Sequence, residues 1–212
     1  MLDNYEIRAD GVVKQSSLFN EIKTYDKVYV DERYNSYGEL GMRMAFLRSG
    51  LTISAYQSIF NSDPSSIMDV GYGNGDYLRA CSSYIKNCYG SDISGYPVPE
   101  GCTSVDDFTK GAYDIITFFD VLEHFEEIDF VKDLNCKMII MSVPECHMFN
   151  DEWFSNWKHR RPDEHLYHFN KVSMREFFKT MGYKCLYISN IEDSIRKPSD
   201  EHTNIITGVF YK

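Results

Sequence analysis

Apolar side chains recur at helical spacing through residues 37–60, YGELGMRMAFLRSGLTISAYQSIF, where Met42, Met44, Phe46 and Leu47 carry the pattern and Gly50 predicts a break. This stretch defines a helical N-terminal layer, set over 1–62. After the polar loop NSDPSS, Ile67 to Val70 predict a short buried strand, a glycine turn follows, and DYLRACSSYIKN returns to an amphipathic helical pattern. Next come CYGSDIS as a strand, a loop through Pro97, Pro99 and Gly101, CTSV and YDIITFFD as strands, VLEHFEEIDFVKDL as a helix and KMIIMSVP as a strand. The last third holds a long loop over 144–170, a helix across VSMREFFKTMG stopped by Gly182, and two consecutive strands, YKCLYIS and TNIITGVFYK. Strands alternating with helices imply an α/β fold of parallel units covered on both faces, and two strands with no helix between them imply an antiparallel edge pair.

Composition narrows this picture. With 212 residues, 43% hydrophobic and 15% aromatic, the chain can bury one substantial core, and no linker-like tract interrupts it, so a single domain over 1–212 is expected, with its core over 63–212. The longest apolar runs fall well short of the roughly 18 to 20 residues of a membrane helix, and MLDNYEIRAD lacks a signal-like start; the expectation is no membrane association and no export. Cys81, Cys88, Cys102, Cys136, Cys146 and Cys185 are scattered without a paired spacing, which suits small buried hydrophobes in a reducing cytoplasm. A formal charge of -10 works against binding a polyphosphate, since the only basic cluster is WKHRRP at 157–162; nucleic acid is disfavoured as a partner.

The glycine turn sits in SIMDVGYGNGDYLRACS, where Gly71, Gly73 and Gly75 give G-x-G-x-G rather than the G-x-G-x-x-G of dinucleotide sites. No Gly-Lys-Ser/Thr follows, which excludes a P-loop. Asp69 precedes the turn inside the strand. A buried carboxylate there repels a pyrophosphate and suits an ammonium group, directly or through water. Asp92 in CYGSDIS ends the next strand, roughly the 20 residues downstream at which an acid meets ribose hydroxyls. Together they point to a nucleoside that carries an ammonium group.

The successive segments MDVGYGNG, SDIS, YDIITFFDVLEH and IIMSVP resemble the motifs of class I S-adenosylmethionine-dependent methyltransferases, over about residues 66 to 190. The resemblance implies a Rossmann-like three-layer sandwich, with a mostly parallel seven-stranded sheet and an antiparallel edge strand, and S-adenosyl-L-methionine as cofactor. By position it implies that Asp69, Gly71, Tyr72, Gly73 and Asn74 approach the methionine part, that Asp92 with Ile93 hold the ribose, that Asp107 with Phe108 meet the adenine, and that Phe119, Asp120 and Val121 border the cofactor. Asn74 and Gly75 open the following helix, whose exposed N–H groups can take the cofactor carboxylate.

Such an enzyme needs no covalent nucleophile, since in-line positioning alone can contribute roughly 7 to 11 kcal/mol. A base matters only where the acceptor must lose a proton. EHLYHFNKVSMREFFKTMGY resembles a segment of small-molecule and sugar methyltransferases in which a histidine faces the acceptor, which makes His165 the first choice and His124, in DVLEHF, the second; bracing the loop is the other role open to His124, and helix-entry packing the role favoured for His168. Asp120, Glu123 and His124, with His165 or His168, could also hold a metal. That group resembles the metal set of small-RNA 2'-O-methyltransferases, with Asp120 where that family has glutamate; many metal-free methyltransferases share DVLEH, and no metal is expected. The aromatic loop with Trp153 and Trp157 is read as a lid over the acceptor or a local aromatic cluster. Tyr34 and Tyr37 either close over the cofactor or pack a helix start. Lys158, Arg160 and Arg161 either hold an acidic acceptor or form a solvated face.

The expected function is methyl transfer to a small-molecule acceptor, a sugar, nucleotide or related metabolite, at oxygen, nitrogen or carbon. Two other readings stay open, a non-catalytic S-adenosylmethionine-binding subunit that supports a partner and an RNA 2'-O-methyltransferase with a metal site. A homodimer is allowed. FFDVLEH replaces the Asp/Asn-Pro-Pro-aromatic segment of base-amino DNA methyltransferases, which argues against that class.

Overall fold

A computed structural model describes residues 2, 4–21, 25–198 and 201–212. In chain order the elements are β1 (Tyr5–Ile7), β2 (Val13–Gln15), α1 (Lys27–Asn35), α2 (Glu39–Phe60), β3 (Ser66–Val70), α3 (Asp76–Cys81), β4 (Asn87–Ser91), β5 (Thr103–Ser104), β6 (Ala112–Phe119), β7 (Asn135–Pro144), α4 (Asp151–Asn156), β8 (Tyr167–His168), α5 (Lys171–Thr180), β9 (Lys184–Ser189) and β10 (Ile205–Tyr211). Seven strands form one sheet in the order β5-β4-β3-β6-β7-β10-β9, mostly parallel with an antiparallel edge strand, and β1-β2-β8 form a second, three-stranded sheet. The chain divides into two compact units, one of Met1–Thr24, Asp120–Lys132 and Met141–Phe210, the other of Tyr25–Phe119, Asp133–Ile140 and Tyr211–Lys212. No helix among the described residues is long and apolar enough to cross a membrane.

In the unit built around Tyr25–Phe119, β3 pairs in parallel with β4 (Ile67↔Cys88 to Val70↔Ser91) and with β6 (Ile67↔Ile115 to Val70↔Phe118). Both faces of β3 are covered, which is why its sequence reads as a run rather than an alternation: Ile67, Met68, Asp69 and Val70 are all buried. Helix α3 stops six residues in, where the Ser82 hydroxyl turns back to the Arg79 carbonyl at 2.9 Å; the helix expected through Asn87 is therefore half as long. Helix α2 runs unbroken through Gly50, against the expected break, and it buries Met44, Ala45, Ser49, Thr52, Ala55 and Tyr56 while Met42 and Phe46 face outward.

Gly50 lies on the exposed side of α2 with nothing within 4 Å of an added Cβ. Replacing it with alanine removes backbone entropy from the unfolded chain at no steric cost, so Gly50→Ala is expected to stabilise the protein by about 0.5–1 kcal/mol, read as a rise in the denaturant midpoint.

In the other unit β1 and β2 form an antiparallel hairpin, Tyr5↔Gln15 to Ile7↔Val13, and β2 pairs antiparallel with β8. The helical layer expected over 1–62 is thus helical only in α1 and α2, and residues 1, 3 and 22–24 of it lie outside the described residues. Phe169, Met174, Phe177, Phe178, Val209 and Phe210 are buried here, with Phe178 and Phe210 stacked at 3.8 Å and 9°. Asn170 caps α5 through its side chain, accepting from the Val172 and Ser173 N–H groups. The helix expected over 121–134 is instead two 3₁₀ turns, Leu122–His124 and Asp129–Asp133, because Phe125 adopts an extended conformation after the first.

Candidate functional site

Within the unit of Tyr25–Phe119, the C-terminal ends of β3 and β4 bring together Asp69, Gly71 to Asn74 and Asp92. Asp69 is 3% exposed and faces β6, where Thr117 donates to its Oδ1 at 2.6 Å. Burial pushes its carboxyl up to about 7, against the opposing Thr117 hydrogen bond and the positive charge of Arg48, with the Asp92 charge adding to the rise. Arg48 comes from α2 and holds its guanidinium 4.3 Å from the centroid of the Phe119 ring. Phe119 itself is buried and meets Tyr77 edge-on at 4.9 Å.

The turn is built by hydrogen bonds as much as by glycine. The Gly71 N–H donates to the Ser91 carbonyl at 2.7 Å, and the Gly73 N–H to Asp92 Oδ2 at 2.8 Å. The other Asp92 oxygen accepts the Ser94 N–H at 2.8 Å, so the carboxylate is fixed yet each oxygen keeps a second lone pair. Gly73 (φ +55) and Gly75 (φ +77) are left-handed, and a Cβ on either would collide, with the Tyr34 ring at the first and the Pro99 ring at the second. Tyr34 therefore lies directly on the turn, its ring also edge-on to Tyr37 at 5.9 Å. Tyr72 turns inward instead: it is buried and donates to the Tyr96 carbonyl. Asn74 accepts the Asp76 N–H at 3.2 Å at the start of α3.

Ile93 is 82% exposed, an apolar side chain directly after Asp92. The Asp107–Phe108 pair is less available. Phe108 is buried, edge-on to Phe118 at 6.0 Å, and Asp107 caps its own 3₁₀ turn through Thr109 and pairs with Lys110 at 2.9 Å, contacts that pull its carboxyl down to about 2.

In the other unit, Asp120 has a left-handed backbone (φ +58), rare for a non-glycine residue, and its N–H donates to the Ser142 carbonyl at 2.8 Å. Arg196 Nη1 donates to both Asp120 carboxylate oxygens, at 2.9 and 2.7 Å, and to Glu192 at 3.2 Å. Val121 leads from Asp120 into the 3₁₀ turn that carries Glu123 and His124. His124 Nδ1 lies 2.7 Å from the Glu164 carbonyl, so it braces the loop at 159–166. The His165 ring meets the His124 ring edge-on at 4.7 Å, and its Nδ1 lies 2.8 Å from the His159 carbonyl.

Burial pushes His165 down to about 2, with the neighbouring His124, His168 and Arg161 acting in the same direction, and burial lowers His124 as well. Held that far below pH 7, the His165 imidazole is neutral there. Ligand atoms of Glu123, His124 and His165 lie within 4.8 Å of one another. Asp120, held by Arg196, and His168 are not part of that group. His168 is 3% exposed and packs among Tyr5, Phe154 and Trp157.

The aromatic loop is not a bare loop, since it forms α4 and β8. Trp153 and Trp157 stack at 5.2 Å, and the fully buried Phe154 packs on Tyr5. Its cations are committed too: Arg160 sits over the Tyr5 and Phe154 rings at 5.4 and 5.6 Å, and Arg161 pairs with Glu164 at 2.9 Å. Sequence reading overlooked Arg48, Thr117 and Arg196. An arginine among the apolar positions of a predicted helix was the only available signal, and it points to Arg48 alone.

Residues 44–188 match the family model for the methyltransferase domain. Comparison with curated proteins finds no match. Among solved structures, the chain is similar to a S-adenosylmethionine-dependent methyltransferase from Clostridium acetobutylicum (13% identity, 77% of this chain and 89% of that one, TM-score 0.54). It is also similar to magnesium protoporphyrin IX methyltransferase from Synechocystis with bound SAH (17%, 88% and 100%, TM-score 0.54), and to the plantazolicin methyltransferase BamL in complex with a triazolic analogue and SAH (14%, 87% and 88%, TM-score 0.58). At these identities the likeness is one of fold.

Proposed function

Because the chain belongs to the methyltransferase-domain family, we propose that it transfers the methyl group of S-adenosylmethionine to a small-molecule acceptor, a sugar, nucleotide or related metabolite. The observation that supports the cofactor half is a buried carboxylate, Asp69, behind a left-handed glycine turn whose Gly73 N–H is held by a second carboxylate, Asp92. These residues fit an aminoacyl nucleoside: Asp69 meets the ammonium, the remaining Asp92 lone pairs accept the ribose hydroxyls, and the exposed Ile93 flanks the base. They do not fit a pyrophosphate, which two carboxylates would repel. When bound, the cofactor would supply an electrophilic methyl carbon on a sulfonium, to be displaced by an acceptor lone pair with the C–S electrons passing to sulfur, and any proton on the acceptor atom would be lost to solvent.

Thr117 holds Asp69 in place while Arg48 contributes its positive charge, and Arg196 fixes Asp120, which we assign with Phe119 and Val121 to the border of the cofactor. Tyr34 covers the glycine turn. Asp107 and Phe108 contribute least, their side chains being engaged elsewhere. The acceptor is assigned as a small molecule on charge, since -10 over 212 residues disfavours a polyanionic chain. All six cysteines are free, four of them buried, in keeping with a reducing cytoplasm.

Calorimetry with S-adenosylmethionine and its demethylated product, followed by transfer of a labelled methyl group into a fractionated cell extract, tests both halves. Binding of both nucleosides, with label in the small-molecule fraction, is expected. Label confined to RNA or protein overturns the acceptor class, and no association with either nucleoside overturns the cofactor reading.

A further inference from the structure

We propose that Glu123, His124 and His165 form a binding site for one divalent transition-metal ion of the zinc type, with two imidazole nitrogens and one carboxylate as ligands and a fourth position open to an oxygen donor. Their ligand atoms already lie within 4.8 Å of one another, and Glu123 and His165 are 1% and 5% exposed. Two imidazoles and a carboxylate suit zinc, cobalt or manganese better than magnesium or calcium, which prefer all-oxygen shells.

The orientation of the two rings carries the argument. Each has its Nδ1 at a backbone carbonyl, His124 at Glu164 (2.7 Å) and His165 at His159 (2.8 Å). A carbonyl only accepts, so in each neutral ring Nδ1 bears the hydrogen and Nε2 presents its lone pair. Backbone carbonyls play this outer-shell role for metal-ligating histidines, fixing tautomer and ring direction. His124 Nε2 then faces Glu123 Oε1 at 3.8 Å, too long for a hydrogen bond. Two ligands each about 2.1 Å from a shared tetrahedral ion would stand roughly 3.4 Å apart, so the spacing needs only side-chain tightening.

The segments that supply the ligands are tied together independently of any ion. The Leu166 N–H donates to the Glu123 carbonyl at 2.7 Å, which joins the 3₁₀ turn to the loop just after His165. The donor set is therefore assembled by the fold, and ion binding has little ordering cost left to meet. This site keeps Glu123, His124 and His165 of the group weighed on sequence and drops Asp120, which is bound to Arg196, and His168, which is packed among aromatic rings. The open position would be left to a water or another oxygen donor, which such an ion polarises.

Chelator-treated protein titrated with zinc chloride in a calorimeter, and with cobalt chloride in a spectrophotometer, tests the site without cofactor or acceptor. Failure there leaves the cofactor reading untouched. The expected result is one ion per chain and visible cobalt bands typical of four-coordination, both unchanged in His202→Ala, which removes a histidine outside the group. His165→Ala and Glu123→Gln are expected to weaken zinc binding by on the order of 100-fold or more. Circular dichroism of each variant reports folding, and the cobalt spectrum of the unsubstituted protein stands even if a variant misfolds. Absence of zinc binding by the unsubstituted protein overturns the proposal, as does binding that folded His165→Ala or Glu123→Gln retains at full strength.

Discussion

Asp69→Asn is expected to weaken S-adenosylmethionine binding about 100-fold while making the cofactor-free protein more stable above neutral pH. Both effects come from one property, a carboxylate buried at 3% exposure with its acid form favoured up to about pH 7. A rise from 3.8 to about 7 means that the folded chain binds the proton more tightly than the unfolded one. Stability is then greatest below the unfolded value near 4, declines as pH rises towards 7, and is level above it; the full decline amounts to about 4 kcal/mol. Asparagine cannot ionise and so escapes the decline. Its amide keeps the shape but brings an N–H₂ that must find an acceptor, which costs about 1–3 kcal/mol. A net gain of about 1–3 kcal/mol at pH 8 should remain, reversing near pH 4 to a loss of about 1–3 kcal/mol where only the amide cost is left, and denaturant titrations at the two values measure it. The cofactor's ammonium, in contrast, needs the charged form, and loss of a buried charged hydrogen bond underlies the expected 100-fold. For the unsubstituted protein, affinity should rise from pH 5 to 7 with release of a proton on binding, seen as a buffer-dependent binding enthalpy. A pH-independent affinity, or Asp69→Asn binding as tightly as the parent, would remove Asp69 from the site.

The parts of this site that could be read from sequence are those in which neighbours in the chain are neighbours in space. Asp69 and the three glycines lie within seven residues, and Asp92 follows from the regular length of one strand–helix–strand unit, so both were legible along with β3, β4, β6 and β7. Their partners were not. Thr117 reaches Asp69 across 48 positions and Arg196 reaches Asp120 across 76, and neither distance leaves a periodic trace. The hairpin of β1 and β2 was missed because strands of three residues, YEI and VKQ, are too short to show alternation. In α2 Met42 and Phe46, which carry part of the apolar spacing, are exposed, and the helix instead buries small side chains such as Ala45, Ser49 and Ala55, which let it pack closely. The segment 121–134 has helical spacing and buries Leu122, Ile128, Val131 and Leu134. Those four are satisfied by two 3₁₀ turns as well as by a helix, and the left-handed Asp120 sends the chain into the turns.

Asp92→Ala should cost more cofactor affinity than Asp69→Asn, because Asp92 does two things. Its oxygens accept the Gly73 and Ser94 N–H groups, which shape the turn, and their remaining lone pairs are the assigned acceptors for two ribose hydroxyls. Two hydrogen bonds to a charged acceptor are worth about 1.5–3 kcal/mol each, so the loss is expected at on the order of 10²- to 10⁴-fold. The two duties separate with Asp92→Asn, which keeps one carbonyl oxygen for the turn but replaces the other with a donor. Its melting temperature should stay nearer the parent than that of Asp92→Ala, while its affinity for S-adenosylhomocysteine drops by at least tenfold, about 1.4 kcal/mol. Asp107→Asn provides the contrast. That carboxylate is already occupied by Thr109 and Lys110, so its removal should change affinity far less than either Asp92 variant. If calorimetry instead shows Asp107→Asn to be the more damaging change, the ribose contact lies after β5 rather than after β4.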